Sequence, residues 1–120
     1  MRRVTQAISA ALLLWAVPTS AAGDQDFTLV NRTGFDIREV YVSPTKAQKW
    51  GRDVLGTGML HDTMQVPIKF KSTNTTCIYD LKVIYTDDDT AEWTEFDLCT
   101  ISKIKIYYDK KTGEPTAEYS

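Results

Sequence analysis

The sequence is short of the side chains that carry most enzyme chemistry. It has a single histidine, His61, and so one group whose ordinary pKa suits base catalysis near neutral pH. No G-x-S-x-G elbow is present. A Ser/His/Asp set can be written from Ser43, His61 and Asp53, but almost any domain of this size allows that, and nothing in the spacing positions the three. A small hydrolase resting on His61 is the least supported functional reading. There are only two cysteines, too few beside one histidine for a tetrahedral zinc site. Positive charge is not in excess either, with 14 Lys and Arg against 16 Asp and Glu. Nucleic acid and anionic membrane surfaces both want a basic patch, so neither is an expected partner. The chain has no internal repeat, no low-complexity tract and no long amphipathic helical window. Its longest apolar run falls short of the roughly 20 residues that span a bilayer.

That run lies at the N-terminus and reads as an export signal. Met1-Arg2-Arg3 is a basic start, Ala7 to Val17 is apolar, Pro18 breaks it, and Thr19 to Gly23 supplies small residues for cleavage after Ala22 or Ala21. Residues 1–22 are expected to be removed and residues 23–120 to form one domain, periplasmic or secreted, monomeric, with no membrane span in its mature form. Loss of Arg2 and Arg3 lowers the 14 basic residues to 12, so the mature chain is mildly acidic. In an exported chain two cysteines most often pair, and a Cys77–Cys99 bridge is worth roughly 3 kcal/mol in the chain-entropy model.

Short segments rich in Val, Ile, Thr, Tyr and Phe, punctuated by turn residues, predict an all-β domain. Strands are expected at 27–31, 36–43, 64–70, 77–86, 91–99 and 102–109, with a last one in 115–120. About seven strands in a chain this size predict an antiparallel β-sandwich, with a small closed barrel as the alternative. Pro67 cannot donate to a ladder and marks 64–70 as an edge. Met64, Val66, Ile68 and Phe70 share one face of that segment. Asn31 and Asn74 each head an N-x-T triplet and are expected to bond their own backbone two residues on, as turn formers.

The cysteine pair tests one hairpin. With Cys77 opposite Cys99 the turn centres on Asp88, Val83 faces Trp93 and Tyr85 faces Ala91. Leu81 and Tyr79 would then face Glu95 and Asp97, which puts two carboxylates on an apolar side. A one-residue bulge near Trp93–Glu95 swaps the faces beyond it. It also carries Cys99 away from Cys77 unless the chain turns again after Leu98. The sequence leaves this conflict open.

Four strings carry a resemblance: N-x-T-G-x-x-I-x-x-V-Y-V-S-P from Asn31 to Pro44, W-G-x-D-x-L-G from Trp50 to Gly56, C-x-Y-D-L-x-V-x-Y from Cys77 to Tyr85, and D-L-C from Asp97 to Cys99. The pattern resembles a group of small exported bacterial proteins of unassigned function. The resemblance implies a bacterial envelope or secreted protein and carries no site residues.

The segment YVSPTKAQKWGRDVLGTGML, Tyr41 to Leu60, is the unusual one. It is a loop with a Trp, a Val54-Leu55 pair and three glycines, Gly51, Gly56 and Gly58. Large apolar residues mostly serve cores, so the loop is expected to fold back over one end of the sandwich with Trp50 as a plug. Arg32 or Arg38 is expected to pair with Asp53. The competing reading exposes Tyr41, Trp50 and Asp53 as a platform for a partner, since loops carry function. The acidic turn Asp87-Asp88-Asp89 offers oxygen ligands for calcium, with Asp53 or Asp62 as possible additions, although Asp-rich hairpin turns are also ordinary turn chemistry. The sequence thus supports an exported, non-catalytic interaction module of the bacterial envelope. It is expected to bind an envelope protein or a glycan and to need no cofactor. The alternative is a calcium-binding sandwich domain.

Overall fold

Alternation along Ile78–Tyr85 sets the architecture. Tyr79, Leu81, Val83 and Tyr85 are buried on one side of this strand while the residues between them face outward. The computed structural model describes residues 23–120, and the expected export signal lies outside the described residues. In chain order the strands are β1 (Phe27–Asn31), β2 (Ile37–Pro44), β3 (Gln65–Ile68), β4 (Ile78–Tyr85), β5 (Thr90–Asp97), β6 (Lys103–Asp109) and β7 (Glu114–Tyr119). A 3-10 turn, Thr45–Ala47, follows Pro44.

The strands form two sheets, β3-β1-β6-β7 and β2-β4-β5, packed face to face rather than closed into a barrel. All pairings are antiparallel except β1 with β6, where Leu29 lies opposite Ile104. Between the sheets Leu29, Ile37, Val40, Val83, Ile104 and Ile106 are fully buried. Each such side chain contributes about 1.5–3 kcal/mol relative to exposure. The described residues hold no helix long and apolar enough to cross a membrane. β3 is an edge strand, as Pro67 requires, but it is shorter than the sequence suggests. Met64 lies just outside it and is 55% exposed.

The β4–β5 hairpin resolves the cysteine conflict. Near the turn Val83 pairs with Ala91 and Leu81 with Trp93, two residues away from the register the cysteines alone would impose. Beyond Asp80 the register slips, so that Tyr79 pairs with Phe96 and Ile78 with Asp97. The bulge falls at Thr94–Glu95. Glu95 takes a positive φ of 63°, and its N–H donates to the Asp80 carboxylate at 3.0 Å. It returns Phe96 and Leu98 to the core. The chain then turns at once, with the Leu98 N–H donating to the Cys77 carbonyl at 2.8 Å, and this brings Cys99 back to Cys77. The two form a disulfide with their Cα atoms 5.2 Å apart.

Two polar devices join the sheets and the turns. The Trp93 indole N–H donates to the Thr116 carbonyl of β7 at 2.8 Å, linking the β5 edge to the opposite sheet. Asn31 is fully buried and uses all its polar capacity. Its amide donates to the Phe35 and Leu60 carbonyls at 2.8 and 3.0 Å, and its oxygen accepts from the Thr33 N–H and hydroxyl. Asn74 makes the same i to i+2 bond, to the Thr76 N–H. Both N-x-T triplets are turn devices, as the sequence suggests.

Candidate functional site

The loop after β2 does two separate jobs. Its second half seals the open edge of β2. Asp53 accepts at one carboxylate oxygen from the Val40 and Leu55 N–H groups, both at 2.9 Å. The Val54 N–H donates to the Val40 carbonyl at 2.8 Å, and Leu60 exchanges both backbone bonds with Ile37 at 2.9 Å. Val54 and Leu55 pack against the core. An exposed edge strand invites pairing with another chain, and this loop removes the invitation. Asp53, expected at a partner platform or in an ion pair with Arg32 or Arg38, gives one of its carboxylate oxygens to backbone N–H groups, and neither arginine is its ionic partner. Arg38 pairs with Glu39 at 3.0 Å and with Asp88 at 2.5 Å.

The first half of the loop lies across the outer face of the three-stranded sheet. Trp50 is half-buried there and takes no part in the core, so it is not the plug that its size suggests. The reason is the strand pleat. Tyr41, Lys82 and Glu92 lie directly opposite one another across β2, β4 and β5 and all point away from the core. The Lys82 ammonium lies 5.9 Å from the ring centres of both Tyr41 and Trp50, within cation–π range. Lys82 therefore tethers the indole to the sheet surface.

Trp50 forms one wall of a cleft of about 200 Å³. Ser43 and Pro44 at the end of β2, Gln48 and Lys49 of the loop, Asp80 of β4 and Glu92 of β5 complete its lining. Several of these groups are fixed in place. The Ser43 hydroxyl accepts from the Gly51 N–H at 3.2 Å, which anchors the chain next to Trp50. Asp80 accepts from the Thr45 hydroxyl at 2.6 Å and from the Glu95 N–H, and both bonds use the same oxygen. Tyr41 donates its hydroxyl to Glu39. That bond holds the Tyr41 phenol above its ordinary pKa and the Glu39 carboxyl below its own, with Arg38 adding to the latter. Sequence reasoning singled out Tyr41 and Trp50 but missed Lys82, Asp80 and Glu92. The only available signal was the alternation of β4, which marks Asp80 and Lys82 as outward-facing.

The acidic turn does not converge. The Asp87 carboxylate pairs with Lys110, Asp88 with Arg38, and Asp89 accepts from the Tyr108 hydroxyl at 3.3 Å. The Lys110 ammonium also sits 4.4 Å over the Phe35 ring. The bond from Lys110, followed by one from the Asp89 N–H, lowers the Asp87 pKa. Each carboxylate thus faces its own donor, and calcium asks for oxygens that gather on one point. Asp62, the other possible addition, accepts from the Gly34 N–H at 2.8 Å. Among the described residues the one group of three close metal-ligating side chains is Cys77, Asp97 and Cys99, and its sulfurs are joined to each other.

His61 is exposed, and its ring nitrogen lies 3.1 Å from Asp36. The Asp62 N–H donates to Asp36 at 2.9 Å, and this bond, with that of His61 behind it, lowers the Asp36 pKa. Ser43, His61 and Asp53 each have separate partners and are not brought together as a catalytic set.

No protein-family model matches the sequence, and no curated protein matches it. Among solved structures, the fold is similar to the NMR structure of a protein from Eubacterium rectale, at 10% identity and a TM-score of 0.58. The match covers 88% of this chain and 94% of that one. At that identity the likeness extends to the fold alone.

Proposed function

We propose that this chain is an exported, non-catalytic interaction module of the bacterial envelope, holding a protein or glycan partner in the Trp50 cleft. One observation carries the reading. A tryptophan that the core does not use is held on an outward sheet face by Lys82, beside Tyr41 and a walled cleft with fixed polar groups. Binding sites combine a few rigid aromatic anchors with positioned polar groups in a concavity. A loop with only an edge-sealing role has no use for Trp50, since Asp53, Val54 and Leu60 already seal the edge. Non-catalytic binding is further supported by His61, which is paired with Asp36 away from Ser43 and Asp53.

The test is a two-dimensional amide spectrum of the isotope-labelled protein titrated with separated protein and glycan fractions of a bacterial envelope extract. Saturable shifts are expected at Trp50, Tyr41, Lys82 and Glu92, and Trp50→Ala should abolish them. Saturable binding that maps to another face, or that survives Trp50→Ala in a folded protein, would reject the cleft. Intact mass of the exported form checks the compartment. It should correspond to a chain starting at Gly23 or Ala22.

A further inference from the structure

The chemistry of the cleft narrows the ligand, so the inference here rests on the reading above and deepens it. We propose that the Trp50 cleft binds a neutral saccharide unit and not a peptide.

Charge is the first consideration. The cleft is lined by Lys49, Asp80 and Glu92, with the Lys82 ammonium between the two rings. Two positive and two negative groups leave no net field to select an anion or a cation. They do supply strong donors and strong acceptors side by side. A sugar hydroxyl both donates and accepts, so a polyhydroxylated neutral ring uses such a mixed lining fully. The second consideration is the indole. A pyranose has an apolar C–H face and a polar rim, and an aromatic wall ringed by polar groups matches both. Gln48 extends that rim with an amide that offers donors and an acceptor.

Size and access argue against a peptide. The volume of about 200 Å³ lies below the roughly 300–1,000 Å³ of typical drug-sized sites. One ring fits that space better than a folded peptide motif. An extended peptide gains most of its affinity by adding a strand to a free edge. This sheet has two edges, β2 and β5, and on β2 the loop has already taken the N–H and carbonyl of both Val40 and Ile37. A peptide arriving on the loop side of the cleft finds no ladder to join there. The site is also preorganised for a small rigid ligand, because Asp80 is held by Thr45 and Glu95 and the Trp50 segment by Ser43.

The experiment titrates the isotope-labelled protein with a panel of short neutral oligosaccharides of glucose, mannose, galactose and N-acetylglucosamine. Matched uronic-acid oligomers and an unstructured peptide pool serve as comparisons. The Trp50 indole N–H signal reports the cleft. At least one neutral sugar is expected to give saturable shifts confined to the cleft. Trp50→Ala should weaken that binding about tenfold or more, as loss of a central aromatic anchor does. Glu92→Gln should weaken it less, and Met59→Ser, at an exposed site away from the cleft, should leave it unchanged. Trp50→Phe guards against misfolding, since it keeps an aromatic wall and should retain part of the affinity. If peptides or an envelope protein shift Trp50 while all neutral sugars fail, the saccharide assignment falls and the interaction module stands. If only uronic-acid oligomers bind, the charge argument is wrong. If no fraction or sugar moves Trp50, both readings fall.

Discussion

Replacing Asn31 by Asp changes one nitrogen to oxygen at a position with no solvent exposure, and the surrounding bonds set the cost. The side-chain oxygen that accepts from Thr33 is retained. The amide that donates to the Phe35 and Leu60 carbonyls is replaced by an oxygen that repels both. Neither carbonyl is orphaned, since Phe35 keeps the Thr33 hydroxyl and Leu60 keeps the Ile37 N–H, so each lost bond itself costs about 0.5–1.5 kcal/mol. Burying an unpaired charge adds to that, and the combined loss at neutral pH should be about 4–6 kcal/mol. That is a large part of the 5–15 kcal/mol typical of a whole domain. Urea unfolding, followed by far-UV circular dichroism, reads it as a fall in midpoint of about 2 M for the m-values usual at this size. The pH dependence then identifies the cause. Burial favours the neutral acid, so the folded-state pKa of the new carboxyl is raised above its unfolded value. The charge penalty is therefore absent below about pH 4 and grows by about 1.4 kcal/mol per pH unit until the folded-state pKa is passed. Measured against the native chain at each pH, Asn31→Asp should recover on acidification, whereas Asn31→Ala should show a nearly constant deficit. A loss under about 1 kcal/mol at pH 7, or a deficit that ignores pH, would refute the assignment of Asn31 as a saturated buried bracket.

Removing the disulfide with Cys77→Ser and Cys99→Ser should cost about 2–4 kcal/mol in the same assay, and non-reducing mass spectrometry of the native protein should find no free thiol. Trp50→Ala should change stability by only about 1 kcal/mol, because the ring lies on the outer face of the sheet and outside the core; a loss of 3–5 kcal/mol would restore the plug. Trp93→Phe should cost about 0.5–1.5 kcal/mol through loss of the indole bond to the Thr116 carbonyl, and amide exchange should rise first along β7. Added calcium should leave the melting temperature unchanged, because Asp87, Asp88 and Asp89 each face a different partner; a saturable rise lost in Asp87→Asn with Asp89→Asn would overturn that geometry.

What the sequence made legible was local. The Asn31 and Asn74 turns could be read because their bonds reach only two residues along the chain. Pro67 marked an edge because its missing N–H is a property of the residue. The β5 bulge could be located because the disulfide and the apolar alternation pulled in different directions, although only the structure shows the turn after Leu98 that satisfies both. Features that depend on distant partners stayed hidden. Nothing near Phe27 says that β1 will lie parallel to β6. The two destinations open to Trp50, core and outer face, differ only in where Lys82 lies once β2 and β4 have paired. Asp53 was read as an ionic partner because charge is visible in a sequence, whereas the edge N–H of Val40 that claims it is not.

The placement of β1 has a consequence for timing. The first strand is an interior member of its sheet, flanked by β3 on one side and by β6 on the other. The hairpin of β4 and β5 can close from neighbouring residues, but the larger sheet has no central pair until the sixth strand has joined the first. Loop-closure entropy must be met before that contact gives anything back, and topologies dominated by such contacts fold in milliseconds to seconds. Until Ile104 and Ile106 are available, Leu29 has only the short, proline-bearing β3 to lie against. A nascent or truncated chain ending before β6 should therefore remain open to proteases and to any channel that accepts only unfolded polypeptide, and folding should begin in earnest only when nearly the whole chain is present.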